Sequence, residues 1–468
     1  MYFSFVAILL KFFLNNESNK MTVTYKRKYS LAMLSPLLLA FGFNAAADKA
    51  AWSPIVLGYE PPSPGLFGDW GGMRTTLANS GFNYALIYQT ESAYNVSGGY
   101  DQNGHYAFVD QTALIFNQDL EQFTGMSDAK IEGLITNRNH DDNLTTERLQ
   151  DQRVHFNDLA QEGWGTGSIT RLGYLTFSRT FMDKKLTWRA GLMNYQQTFD
   201  QITPCDFQLL TLCGGKSSNS LTWNTWNIHT WGTTFAYAIT PELTLKTGVI
   251  EQNPRAADTS RAWSFTTHGS KGVLLPFEAE LKTYINDLPG AYNFGVLFTN
   301  AKQYSLYTPV GKDTESYNRT WFAWGGFNQQ ITSHDEDKTR GMSVFGNMSI
   351  ADQRSDVNHI VASLGIRYRG IFDALPNDYI GFGGSWIDMS NRLAKTERQI
   401  NQINGIHDYD NPLYQPVQGH SVNFDLYYRF RPVSWLDIQP DIQYWINPGA
   451  INETKDAVVI GIKTAVRF

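Results

Sequence analysis

The chain has 468 residues, 14% of them aromatic, 42% hydrophobic and 39 of them glycine, with a formal charge of −6 and a mean hydropathy of −0.33. That hydropathy excludes a bundle of transmembrane helices, but not a transmembrane β-barrel, in which only alternate strand residues face lipid. The first 47 residues hold five basic side chains against Glu17, so the remainder carries −10; such an acidic body, with no basic patch interleaved with stacking aromatics, excludes a nucleic-acid partner.

From Met21 the sequence reads "MTVTYKRKYSLAMLSPLLLAFGFNAAADKA". A basic cluster (Lys26, Arg27, Lys28), an apolar run from Leu31 to Phe43 and Ala45-Ala46-Ala47 predict a secretory signal peptide over residues 1–47, cut after Ala47. The complete signal that starts at Met21 suggests Met21 as the translation start. Residues 48–80 read as a tether ("EPPSPG") followed by a short helix over Met73–Asn79 that Gly81 ends. This helix is expected on the periplasmic side.

From residue 81 onward, alternating segments are separated by turn signals. "SDAKIEGLITNR" sets Ile131, Gly133 and Ile135 against Lys130, Glu132, Thr136 and Arg138. "KKLTWRAGLMNY" sets Leu186, Trp188 and Ala190 against Thr187 and Arg189. "LLPFEAELKTYI" sets Leu275, Phe277, Ala279 and Leu281 against Glu278, Glu280 and Lys282. "VNFDLYYRF" sets Val422, Phe424, Leu426 and Tyr428 against Asn423, Asp425 and Arg429. "SWLDIQPDIQYWIN" and the closing "DAVVIGIKTAVRF" repeat the pattern.

One-sided alternation also suits any antiparallel sheet with a wet face. Long segments, polar faces carrying charges of both signs, and short turns ("TPEL", "RPVSW") alternating with long loops ("HDYDNPLYQPVQGH") point instead to a membrane barrel. Trp435, Trp445, Tyr379 and Trp386, near segment ends, are expected in an interfacial girdle. About 420 residues follow Ala47; at roughly 25 per strand with its connection they make about 16 strands, enough for an aqueous lumen. The expected fold is therefore all-β, a transmembrane antiparallel β-barrel over 81–468.

The two cysteines, Cys205 and Cys213 in "PCDFQLLTLCGG", are expected to form a disulfide in an oxidising compartment. Their loop either folds into the lumen or lies outside, stapled against proteolysis.

Taken together, "GDWGGMRTTLANSGFNYALIYQTESAYNVSGG", "RGMSVFGNMS", "SLGIRYRGIFDALPNDYIGFGGSW", "DIQPDIQYWINPGA" and "AVVIGIKTAVRF" resemble ordered motifs of carbohydrate-selective porins of the OprB type, from about Gly68 to Phe468. Departures fall at Asp425, where that family leads one to expect glutamate, around Trp223–Trp231, and over Asn401–Pro416, which reads as an external loop. The resemblance implies a single-chain barrel in the bacterial outer membrane that passes small neutral sugars, such as monosaccharides, by diffusion without a cofactor. It also implies that Phe468 serves as a signal to the barrel-assembly machinery. Related pores occur as monomers or homotrimers.

A sugar presents apolar ring faces and hydroxyl rims, which aromatic surfaces and charged or amide groups respectively suit. The candidate pore-lining residues are Lys130, Glu132, Arg138, Arg189, Glu278, Glu280, Lys282, Arg367, Arg369, Asp425 and Arg429; the competing reading of each is a wall residue away from the narrowest point, and Glu278, Glu280 and Lys282 stand out because three charges on one face cannot point to lipid cheaply. Competing readings are a general solute channel, an outer-membrane hydrolase and an adhesin. His420 and Ser421 are adjacent, but strand neighbours point to opposite faces and cannot form a dyad. No GxSxG, HExxH or metal-ligand spacing is found.

Overall fold

The computed structural model describes residues 65–468 except 103, 141–143, 145–147, 155–167 and 214–225. The expected signal peptide and most of the tether lie outside these residues.

A 3-10 turn, Trp70–Gly72, leads into α1 (Met73–Asn79), the helix expected from the sequence. Among the described residues, eighteen strands and two further α-helices follow: β1 (Phe82–Gly99), β2 (Tyr106–Asp119), α2 (Leu120–Thr124), β3 (Ala129–His140), β4 (Ile169–Phe181), β5 (Leu186–Met193), β6 (Thr230–Ala238), β7 (Leu243–Gln252), β8 (Gly272–Ile285) and β9 (Leu288–Thr299). Then come a small hairpin, β10 (Gln303–Tyr304) and β11 (Ser316–Tyr317), β12 (Thr320–Gln330), β13 (Gly341–Ala351), β14 (Asn358–Arg369), β15 (Tyr379–Met389), α3 (Asn391–Asn404), β16 (His420–Val433), β17 (Leu436–Ile446) and β18 (Lys455–Arg467).

All strands except β10 and β11 form one closed 16-strand antiparallel barrel. Its seam joins β1 to β18, with Ile87 opposite Arg467 and Glu91 opposite Lys463. Closure matters because lipid satisfies no backbone hydrogen bond and a barrel has no edge to leave open.

The alternation read from the sequence is the in–out alternation of this wall. Ile442, Ile460, Ile462, Leu426 and Phe277 face outward and are exposed, whereas Glu91, Gln111, Lys246, Glu278, Asp425 and Gln443 are buried inside. His420 is exposed and its neighbour Ser421 buried, as opposite faces require.

One end of the barrel carries tight turns. Asn286 and Asp287, both at positive φ, close the β8–β9 hairpin as a two-residue turn whose twist matches the strands. Ser434 and Trp435 close β16–β17 in the same span. The opposite end carries the long connections. Short turns mark the periplasmic end of such barrels and long loops the external end.

Two aromatics depart from the expected girdle. Trp445 and Tyr379 are buried inside the barrel, because each sits on the inward parity of its strand. Outward aromatics near the strand ends are instead Trp231, Phe298, Trp321 and Tyr444 at the loop end, and Phe181, Tyr237 and Tyr284 at the turn end.

The segment expected as an external loop, Asn401–Pro416, begins inside α3, whose last four residues it overlaps. Ser390 caps its first turn by accepting from the Arg392 N–H, and Gly405 ends it in the left-handed conformation. Leu393 packs in a cluster with Val361, Ile387, Met389 and Ala450, and Ala394 beside it is buried too.

At the turn end the N-terminal segment reaches the last strand. Leu66 N–H donates to Arg467 O at 2.8 Å, and Arg74 Nη2 donates to Phe468 O at 2.5 Å. The Phe67 and Phe468 rings lie 5.6 Å apart.

Candidate functional site: the constriction

The described parts of the connection from β5 to β6, residues 194–213 and 226–229, turn into the barrel rather than away from it. Nothing in its local sequence has strand or helix period. Its course is fixed by polar groups that the wall presents at inward parity, and it meets them in the order of the strands.

The loop starts at a 3-10 turn, Tyr195–Gln197. Arg189 of β5 pairs with Glu132 of β3 at 3.2 Å. Its Nη1 donates to Gln197 O (2.6 Å) and Thr198 Oγ1 (3.1 Å). Next, the Asp200 N–H donates to Glu278 Oε2 at 2.8 Å and Asp200 Oδ1 accepts from Asn293 Nδ2 at 3.0 Å. Glu278 is fully engaged, taking Lys246 Nζ at 2.9 Å and Trp324 Nε1 at 2.8 Å as well. Lys246 also reaches Glu280 (2.7 Å), which in turn pairs with Lys282 (2.9 Å).

Further round, Thr203 Oγ1 accepts from Asn347 Nδ2 of β13 at 3.1 Å. Asp206 then meets two arginines, pairing with Arg367 of β14 and with Arg429 of β16, the latter at 3.1 Å. Its carbonyl accepts from Gln439 Nε2 at 2.8 Å and Arg429 Nη2 at 3.2 Å. The Tyr379 ring lies among Arg367, Arg369 and Arg429, at 6.0, 5.8 and 5.6 Å from its centroid.

The tip is apolar. Phe207 stands edge-on to Tyr427 with centroids 4.9 Å apart, and leans on Phe345 at 5.6 Å. Leu212 and Phe207 pack on Gly383 so closely that a Cβ there would lie 3.1 and 3.2 Å from them. Beyond the tip, Gln208 Nε2 donates to Ser92 O (2.9 Å), Lys463 Nζ to Phe207 O (3.2 Å), and the Leu209 N–H to Asp425 Oδ2 (3.1 Å). Lys463 also pairs with Glu91 across the seam at 2.9 Å. Cys205 and Cys213 are joined as a disulfide, closing the tip into a small ring. On the return, Trp226 Nε1 donates to Gln111 Oε1 (3.2 Å) and Asn227 Nδ2 to Thr136 Oγ1 (3.1 Å).

The described loop residues thus follow the inner wall from β5 round to β1, and Trp226 and Asn227 lie against β2 and β3. They narrow the lumen with a hoop whose polar contacts are mostly charge-assisted, the stronger class of hydrogen bond.

The candidate residues fall into three groups. Glu132, Arg189, Glu278, Arg367, Asp425 and Arg429 all touch the hoop or pair with a residue that does. Glu280 and Lys282 extend the Glu278 cluster, and Arg138 donates to Gln111 Oε1 at 2.7 Å, beside Trp226. Lys130 and Arg369 stand apart at the turn end: Lys130 is exposed one residue into β3, and Arg369 donates to Asn377 in the β14–β15 turn at 3.0 Å.

Asp206, Lys246, Glu91, Lys463 and Gln439 were not among the candidates. The four wall residues carry the same alternation signal as those that were; Asp206 carries none, because its loop has no period. Among the described residues no three His, Cys, Asp or Glu side chains are grouped to hold a metal ion.

A closed barrel of this size, with a hoop of mixed charge and aromatic rings inside it, is the architecture of a diffusion pore for polar solutes. Residues 103–468 match the model of the carbohydrate-selective porin OprB family. The chain is 35% identical to Porin B of Pseudomonas aeruginosa over 441 residues, covering 92% of this chain and 95% of that one. It is 31% identical over 413 residues to the putative porin QuiX of Acinetobacter baylyi, covering 86% and 93%. The high-pH structure of Pseudomonas putida OprB superposes with a TM-score of 0.84 at 34% identity, covering 87% of this chain and 99% of that one. Fold, hoop and sequence converge: this chain belongs to the OprB family of carbohydrate-selective outer-membrane porins.

Proposed function

We propose that the pore passes small neutral sugars of monosaccharide size, glucose among them, by passive diffusion past the inner hoop. The observation that carries this reading is the composition of the hoop and its wall. Glu132 with Arg189, Glu278 and Glu280 with Lys246 and Lys282, and Asp206 with Arg367 and Arg429 form local clusters of opposite charge. Such clusters give an ion of either sign little net attraction, and their partly exposed members, Glu132, Arg189 and Lys282, can offer hydroxyls donors and acceptors.

In this reading the candidate residues that touch the hoop set its position and polarity, and the signal segment 1–47 is removed during export. Purified protein in liposomes tests it by swelling. Glucose is expected to enter faster than an amino acid and a polyol of similar size. Rates that follow size alone would instead assign a general small-solute channel.

A further inference from the structure

The hoop and the wall balance their charges differently from place to place. On β16–β18, Asp437 answers Arg431 and Arg467 within the wall itself, at 2.6 Å each. Arg367 and Arg429, by contrast, share a carboxylate that the wall does not supply. Asp206, on the hoop, is the acid at ion-pair distance from both. It is 2% exposed, and the two arginines are buried with it.

Two guanidiniums and one carboxylate leave this patch one charge positive, while the hoop's hold on the wall there does not depend on the carboxylate alone. The Asp206 carbonyl accepts from Gln439 at 2.8 Å and from Arg429 at 3.2 Å, so the main chain stays anchored whatever the side chain carries. Position and charge are therefore separable at this residue.

We propose that Asp206 is the specificity-determining residue of the constriction: by neutralising wall arginines from the hoop, it keeps the pore from favouring anions over neutral sugars. This rests on the hoop's being the constriction. An aqueous pore with low-dielectric walls concentrates the ion opposite in sign to its lining. With Asp206 in place the group of Arg367, Arg429 and Asp206 carries one net positive charge; without it the group carries two. Without it, two guanidiniums act together on the same stretch of the path, and small anions such as sugar acids gain an advantage that a neutral sugar does not.

The substitution that tests this is Asp206→Asn, which keeps the side-chain shape and the main-chain anchors and removes the charge. Folding is checked by the heat-dependent mobility shift on a detergent gel. In planar bilayers across a KCl gradient, the anion-to-cation permeability ratio of D206N is expected to rise at least about twofold over wild type. In liposomes, gluconate entry should rise relative to glucose.

Adding Arg367→Gln to D206N should return both ratios to the wild-type value, and R367Q alone should move them the opposite way. A purely structural role would not predict that reversal. An unchanged ratio in folded D206N, or a shift that R367Q fails to reverse, overturns the proposal. R367Q alone decides the matter if D206N does not fold. The reversal potential reads the charge at Asp206 whether or not wild type prefers glucose in swelling, so failure of the sugar reading is distinguishable from failure of this one.

Discussion

At the scale of single residues, the interior of this barrel is a set of buried charges, each tolerable only through its partners. Lys246 shows the rule. Its ammonium lies 2.9 Å from Glu278 and 2.7 Å from Glu280, all three side chains almost wholly buried. Removing one partner of a buried pair leaves the other charge uncompensated, which costs about 3–5 kcal/mol. Lys246→Met is therefore expected to lower the temperature of the heat-mobility transition markedly. Adding Glu280→Gln should recover part of that loss, because fewer unpaired carboxylates then remain. An additive double variant would show that the two groups do not act as a pair. Lys246 was readable in "LTLKTGV" as an inward-parity lysine. Its partners were not, since the register between β7 and β8, which sets Lys246 opposite Glu278, is a property of two strands together.

At the scale of elements, α3 is the clearest case of a segment that local reading undervalued. Its signals are present: Ser390 as cap, Gly405 as stop, and one small apolar patch at Leu393 and Ala394. The loop reading, over Asn401–Pro416, takes in only its last four residues; the helix is strongly polar and sits within a long connection, so it shows little apolar period of its own. Tertiary contacts hold it. Thr396 donates to Leu306 O at 2.5 Å and Gln399 to Thr308 O at 2.9 Å. Glu397 is buried beneath it, accepting from the Gln418 N–H at 2.8 Å. Burial lifts this carboxyl to about 7, against the downward pull of the Gln418 N–H and of Arg398. The folded state thus holds its proton more tightly than the unfolded state, whose value is 4.5. The docking of α3 is then strongest at or below the unfolded value, weakens as pH rises from there to about 7, and is level above. Hydrogen exchange across 391–404, corrected for intrinsic rate, should show greater protection at pH 5 than at pH 8. Glu397→Gln should remove that difference; a difference that survives the substitution would place its origin elsewhere.

The inner hoop is the opposite case. Its disulfide was expected from two nearby cysteines, but the direction of the loop stayed open between inside and outside. No periodicity places Asp206 between Arg367 and Arg429. That arrangement is set by chain separated by more than 160 residues, and only the closed barrel brings it together. Tyr379 and Trp445 were misplaced for a related reason: residue type suggested a girdle, while strand parity, which prevails, pointed them inward.

At the scale of the whole molecule, the barrel class, the strand number and the N-terminal helix were all legible, since in–out alternation is imposed on every strand by lipid on one side and water on the other. Closure was legible only as a requirement. The structure shows how the seam is reinforced: Arg74 and Phe67 from the segment before β1 hold Phe468 after β18. A hydrogen bond from a charged group is worth about 1.5–3 kcal/mol, so Arg74→Ala should lower the heat-mobility transition by several degrees while leaving single-channel conductance unchanged. A conductance change of the same size as the stability change would mean that the segment also shapes the pore.

The hoop also bears on how such a protein diversifies. Barrels can change size by gaining or losing a hairpin, since each hairpin contacts only its neighbours. Here one loop touches strands nearly all the way round, from Arg189 on β5 to Ser92 on β1 and back to Gln111 on β2. An added hairpin would move the anchoring side chains away from a loop of fixed length and strand its buried charges. The strand number is therefore locked by the interior, and new solute preferences must arise by exchanging side chains along the hoop rather than by widening the cylinder.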